Sequence, residues 1–188
     1  RRLLCYRVTT VRSSPKIINF MNNSARKQDL AISSSTSSSL AIETPIHVAM
    51  AIIYQQGKFL MQLRDDIPGI LYPGVWGLFG GHLETQESPE IGIKRELLEE
   101  INYSVDIPKK FDCYGDNRIV RHIFHLPLLV KIEALELNEG WDLGLVTPED
   151  IRRGYSYSEQ AGEERPLGDT HQKILLDFIN SKLPVLNF

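Results

Sequence analysis

The chain has 188 residues, of which 42% are hydrophobic and 24% charged, with a net charge of −3. These proportions suit a globular domain with something added, and the longest apolar run, around residues 48–54, is too short to cross a bilayer, so no membrane partner is expected. The two cysteines, Cys5 and Cys113, lie far apart and form no CxxC pair, which argues against a disulfide scaffold or a zinc centre and fits a reducing, cytoplasmic setting.

Charge is distributed unevenly. Residues 1–45 hold seven Lys/Arg against two acids, whereas residues 46–188 hold fourteen against twenty-two. An acidic domain is a poor partner for a nucleic acid polymer, and accepts a polyanion only with cations in between. Residues 1–44 contain SSSTSSS at 33–39 and no sustained periodicity, so a disordered N-terminal extension is expected there, followed by one domain over 45–188. The Arg- and Ser-rich, acid-poor composition leaves organelle targeting by residues 1–40 open beside a plain tail or sequence upstream of the true start.

In chain order, HVAMAIIYQ (47–55) is apolar and partly β-branched, and reads as a buried strand. Gln56-Gly57 reads as a turn, with Lys58–Leu63 as the hairpin partner. A Pro/Gly-rich loop at 65–74 leads to a short strand over Trp76–Phe79 and then to Gly80-Gly81. Pro89–Ile101 reads as a helix. Phe111–Tyr114 and Ile119–Val130 read as strands, and Pro127 suggests an edge or a bulge in the second. Leu143–Val146 is a short strand before a helix capped by Thr147 and opened by Pro148. Thr170–Ser181 is an amphipathic closing helix. Strands mixed with a few helices imply an α+β or mixed α/β fold.

The helix at 89–101 has clear start signals: Ser88 as cap, Pro89 at the first position and Glu90 at the positive end of the dipole. It also crowds Glu96, Glu99 and Glu100 into five positions. At 100° per residue the three carboxylates share an arc of about 100°, and Gly92 falls inside it. Ile91, Ile93, Leu97, Leu98 and Ile101 fall on the other side, as a buried face. Like charges at these spacings destabilise a helix by a few tenths of a kcal/mol per pair, and an interior glycine by about 1 kcal/mol. A solvated acidic face is one explanation. A site that binds hard divalent cations such as Mg²⁺ or Mn²⁺, with Gly92 leaving room for what binds, is the other.

The spacing resembles the Nudix box, G-x5-E-x7-R-E-U-x-E-E-x-G-U. Gly81, Glu87, Arg95, Glu96, Glu99 and Glu100 take its fixed positions, and Leu97 and Tyr103 its bulky apolar ones. Asn102 replaces the final glycine, where a left-handed residue is wanted and Asn is the next most tolerant. The resemblance covers roughly 45–179. It implies a Nudix-type α/β/α sandwich with a mixed sheet. It also implies Mg²⁺- or Mn²⁺-dependent hydrolysis of a nucleoside diphosphate linked to another moiety, by a monomer or homodimer acting on a small nucleotide. By similarity, Glu96, Glu99, Glu100 and the Gly81 carbonyl are metal ligands. Arg95 orients the catalytic glutamates, and Glu87 makes the loop-to-helix contact or assists as a base. Glu139, in LNEGWDL, is the candidate for a further ligand from a distant loop, with a plain turn acid as the alternative.

Substrate is harder to read. Arg64 and Arg121 are candidates for phosphate contacts, and Trp76 and Phe79 for stacking on a base, with core packing as the alternative for both aromatics. His122 and His125 are three apart on one strand, face opposite ways and suit structural roles. Signatures of the ADP-ribose, NADH and coenzyme A branches are missing, and Cys113 lacks the motif of the isoprenoid isomerase branch. What remains is a MutT-like enzyme acting on a nucleoside triphosphate or an oxidised nucleotide. The alternatives are an ADP-ribose or sugar-nucleotide diphosphatase, and a ligand-sensing module without catalysis.

Overall fold

A computed structural model describes residues 44–181. The expected extension over 1–44 falls, Thr44 apart, outside the described residues. The described chain runs β1 (Ile46–Gln55), β2 (Lys58–Leu63), β3 (Trp76–Gly77), β4 (Phe79–His82) and α1 (Pro89–Ile101). It continues through β5 (Lys109–Gly115), β6 (Ile119–Pro127), β7 (Asp142–Val146), α2 (Pro148–Arg153), β8 (Tyr155–Ser158), β9 (Glu163–Pro166) and α3 (Asp169–Asn180). Among the described residues, no helix is long and apolar enough to cross a membrane.

Strand β1 organises the sheet. It pairs in parallel with β6, and β6 pairs antiparallel with β5. The other edge of β1 is shared: Val48–Ala51 pair with β4, and Ile53–Gln55 with β2. β2 also pairs with β3 and β7. Period-2 alternation along β1 feeds two cores. Val48, Met50, Ile52 and Tyr54 pack with Ile151 of α2 and Ile174, Leu175 and Phe178 of α3. Ala49, Ala51 and Ile53 pack with Ile93, Leu97 and Ile101 of α1. Because both faces are covered by helices, β1 is apolar from Val48 to Tyr54, and the result is an α/β/α sandwich around a mixed sheet.

The β1–β2 turn puts Gln56 and Gly57 both at positive φ, as a two-residue hairpin requires. Three expectations are corrected. The strand over Trp76–Phe79 is two strands, because the chain changes partner at Leu78, from β2 to β1. Strand β6 stops at Pro127 and lies inside the sheet between β1 and β5, so the proline ends a strand instead of marking an edge or bulge. The irregularity in that pair sits in β5, between Lys110 and Asp112. The β8–β9 hairpin was not expected. Its YSYS stretch alternates in reverse, with Ser156 and Ser158 buried and Tyr155 and Tyr157 exposed. The buried serines are used by Trp76 Nε1, which donates to Ser156 O (3.0 Å), and by Ser158 Oγ, which donates to Asp142 Oδ2 (2.6 Å).

The partner switch at Leu78 is held from α3. Leu78 N–H donates to His171 Nδ1 at 2.7 Å. Burial lowers the His171 pKa to about 4, and the charges of Arg121 and Arg64 act the same way. The neutral ring is thus favoured in the folded state, against an unfolded value near 6.5. The stability tied to this ring is complete above about pH 6.5 and is lost as pH falls through about 4. Replacing the ring by an amide oxygen, in His171→Gln, is expected to flatten the fall in urea stability over that window. An unchanged slope in urea titrations would assign the acid sensitivity to other groups.

Candidate active site

The residues of the box meet where β4 runs into α1. Ser88 caps the helix, its Oγ accepting from Ile91 N at 3.3 Å. At the other end Asn102 takes the left-handed conformation, φ 49°, as its replacement of glycine requires. Its N–H and that of Tyr103 return to Leu98 O and Leu97 O, both at 3.1 Å.

Arg95 is the hub. Nε and Nη2 donate to the two oxygens of Glu87, each at 2.9 Å. Nη1 donates to Glu96 Oε1 (2.9 Å) and Glu99 Oε2 (3.0 Å). Nη2 also donates to His82 O (3.0 Å). All five N–H bonds of the guanidinium are therefore engaged. The bonds Arg95 donates to Glu87, and to Glu96 and Glu99, raise its pKa further above its ordinary value. Arg95 in turn, with the Glu84 N–H, holds Glu87 below the usual carboxylate range. Glu96 moves the other way: burial raises it, Arg95 opposes this, and Glu99 and Glu139 add to the rise.

Glu100 departs from expectation. It is 5% exposed and faces the interior, so it is not part of an outward stripe. Gln62 Nε2 donates to Oε1 (2.9 Å) and Gly80 N to Oε2 (2.8 Å). Burial raises its pKa to about 7 against these two bonds, with Glu96 and Glu139 adding to the rise. The face assigned to the core shifts with it. Ile91 and Leu98, expected inside, are 61% and 50% exposed.

The glycines explain the close approaches. At Gly80, φ is 125° and a methyl would lie 2.1 Å from Ala49 O, so β4 meets β1 too closely for any side chain. At Gly81 a methyl would lie 2.7 Å from Glu96 Oε1: the carboxylate rests directly on this residue. Gly92 serves the protein itself and does not make room for a ligand. A methyl there would strike Leu83 Cδ2 at 2.3 Å and Glu87 Oε2 at 3.0 Å, so the glycine admits the loop before α1.

The distant candidates divide. Glu139 is exposed and near enough for its charge to act on both Glu96 and Glu100. Arg64 follows β2, and its Nε donates to Leu71 O (2.9 Å) in the 65–74 loop. Arg121 lies on β6 in register with Val48, on the sheet face opposite α1. Trp76 and Phe79 are 1% and 0% exposed, one in each core, so packing accounts for both. His122 stacks on His47, and His125 on Tyr54, each in a structural setting. Two participants escaped the sequence reading. Gln62 is a polar residue inside the apolar FLMQL strand, which was its signal; Asn138, beside Glu139, gave none.

Among the described residues, no three His, Cys, Asp or Glu side chains surround a common point. Glu96 and Glu99 are instead turned to Arg95. The donors still suit a hard cation. They are all oxygens, Glu96 is pressed on Gly81, and the burial that raises Glu96, with the repulsion from Glu99 and Glu139 added to it, is of the kind a cation relieves.

Known proteins place this arrangement. The NUDIX domain family profile matches residues 44–165. A MutT-like protein of Streptomyces ambofaciens is 28% identical over 116 residues, 59% of this chain and 71% of that protein. The MutT protein of Methanosarcina mazei Go1 superposes with a TM-score of 0.55 at 21% identity, over 76% of this chain and 100% of its own. The NUDIX domain of Shewanella oneidensis NrtR, crystallised with ADP-ribose, superposes with a TM-score of 0.57 at 18% identity, over 77% and 93%. The fold and the box thus define a Nudix hydrolase. The chain belongs to the NUDIX domain family.

Gly81→Ala separates site from fold. The added methyl meets only the end of a flexible side chain, so the melting temperature should move little. The displaced Glu96 carboxylate should lower hydrolytic turnover by about a hundredfold. Turnover equal to that of the wild type would detach Glu96 from the chemistry.

Proposed function

We propose that the protein hydrolyses a diphosphate linkage in a nucleoside diphosphate derivative with Mg²⁺ or Mn²⁺, its substrate being a nucleoside triphosphate or an oxidised nucleotide. The observation that carries this reading is the single guanidinium of Arg95 bonded to Glu87, Glu96 and Glu99 at 2.9–3.0 Å, with the Glu96 carboxylate laid on Gly81. Glu96, Glu99 and Glu100, with the Gly81 carbonyl and Glu139, would hold the cation. Such an ion, when bound, supplies positive charge to a diphosphate and lowers the pKa of water.

The chain's own residues do the rest. Arg95 fixes the direction of three carboxylates and, through His82 O, the end of β4, next to Gly81. Glu87 serves as the anchor of that arginine. Its two oxygens are spent on Arg95, and Oε2 also accepts from Glu84 N (3.0 Å), which favours a positioning role over that of a base. Glu99 is 59% exposed at its side chain and is the most open of the three helix glutamates. Glu100 is held by two fixed donors; burial pushes it up to about 7 against them, and a bound cation would favour the carboxylate form. Of the two arginines nominated for phosphate, Arg64 bonds to the 65–74 loop at Leu71 O, while Arg121 stands on the sheet face opposite α1.

A second reading, ADP-ribose or a sugar nucleotide as substrate, is favoured by one observation: the NrtR domain was crystallised with ADP-ribose. Purified protein with Mg²⁺ or Mn²⁺ and a panel of canonical and oxidised nucleotides, ADP-ribose, sugar nucleotides and dinucleoside polyphosphates decides between them. Preferred cleavage of ADP-ribose would replace the first reading, and hydrolysis of no member would point to a ligand-sensing module. Glu99→Gln is expected to lower turnover on the preferred substrate by roughly a hundredfold or more while leaving the circular dichroism spectrum unchanged. Full metal-dependent activity in that variant would overturn the assignment of Glu99.

A further inference from the structure

Helix α1 ends with three carbonyls that its own C-terminal motif leaves over. The N–H groups of Asn102 and Tyr103 serve Leu98 and Leu97, so Glu99, Glu100 and Ile101 need other donors. One loop supplies all three. Asn138 Nδ2 donates to Glu99 O at 2.9 Å, and Asn138 N to Glu100 O at 2.8 Å. Glu136 N donates to Ile101 O at 3.4 Å. The two carbonyls taken by Asn138 belong to the residues whose carboxylates form the candidate site.

The same loop is fixed on its far side. Trp141 N donates to Leu63 O at 2.8 Å. Gly140 has φ 97°, and a methyl on it would lie 3.0 Å from both Gln62 Oε1 and Leu63 O. Gln62 is the residue that donates to Glu100. Glu139 is thus held between two anchors, α1 through Asn138 and β2 through Gly140 and Trp141. Its backbone has little freedom, while its side chain stays exposed.

We infer that Asn138 is a positioning residue that sets Glu139 beside the helix carboxylates and thereby completes the cation site. The inference rests on the metal-dependent reading proposed above. A simple helix cap would serve stability only. The geometry argues for more, because the residue that caps Glu99 and Glu100 is chain neighbour to the one acid outside α1 whose charge acts on Glu96 and Glu100. Fixing a ligand through its neighbour's hydrogen bonds is how outer-shell residues act on metal sites.

The test is a double-variant cycle on Mn²⁺ binding, read by the electron paramagnetic resonance of free Mn²⁺ without substrate. Asn138→Ala and Glu139→Gln are each expected to weaken binding by about tenfold or more. The double variant should bind no more weakly than Glu139→Gln alone, because Asn138 acts through Glu139. Asn138→Ser, which keeps a short hydroxyl donor, should recover part of the affinity. Should Asn138→Ala fail to fold by circular dichroism, Gly140→Ala, which crowds the other anchor, takes its place in the cycle. Additive losses, or wild-type Mn²⁺ affinity in the loop variant, would overturn the inference and leave a helix cap. A wild-type protein that binds no Mn²⁺ would remove the metal-dependent reading and the inference with it.

Discussion

The site depends on one cation in the protein itself. Glu87, Glu96 and Glu99 would repel one another across the junction of β4 and α1 if Arg95 did not lie among them. A planar guanidinium can meet this demand and an ammonium cannot, because five donors in one plane reach three carboxylates and a backbone carbonyl at once. Two of those donors form a bidentate pair with Glu87, which fixes the plane of the ring. The geometry of the loop therefore follows from the geometry of the arginine. Leu83 and Glu87 fold against α1 at Gly92, where no side chain stands in the way.

Glu100 solves the same electrostatic problem without a counter-ion. It is buried and meets only neutral donors, the Gln62 amide and the Gly80 N–H. The space for it comes from the sheet. One edge of β1 is given to β4 over Val48–Ala51 and to β2 over Ile53–Gln55, so the two strands diverge as they leave β1. Gly80 lies on one side of the divergence and Gln62 on the other, and the carboxylate sits between them. Neighbouring acids on one helix thus have opposite environments, Glu99 open and ion-paired, Glu100 enclosed and polarised by dipoles. Burial of a carboxylate against two neutral donors favours proton uptake, and that is the direction its pKa takes.

The sequence made the helix and the box legible because both depend on short-range chemistry. Ser88, Pro89 and Asn102 mark their positions by capping preferences, and the structure puts α1 at the limits those residues indicate. The buried β1 was legible as an apolar run for the same reason. The direction of α1 was not. Period alone gives the spacing of Glu100 and Leu98 but not which meets the protein, and that depended on a glutamine in β2 and a glycine in β4. Trp76 and Phe79 misled in a related way: an aromatic beside a motif looks like a ligand platform until its neighbours are known. Asn138 lies far from α1 in sequence, and nothing local to LNEG reveals that its partners are helix carbonyls. The β8–β9 hairpin was hidden because its buried residues are serines, kept inside by bonds to Trp76 and Asp142.

The divided edge of β1 also bears on how the chain is made. Its hairpin partner β2 and its second partner β4 both follow within one short stretch, as does α1, so one edge and one face of β1 can be covered while synthesis is in progress. The parallel partner is different: Ile46 meets Ile119 and Tyr54 meets Pro127. Until β6 leaves the ribosome, a largely apolar strand of ten residues presents an unpaired edge to other chains, the kind of surface that chaperones shield. A strand buried over Val48–Tyr54 in the finished enzyme is in this sense a strand with an open edge in the nascent one.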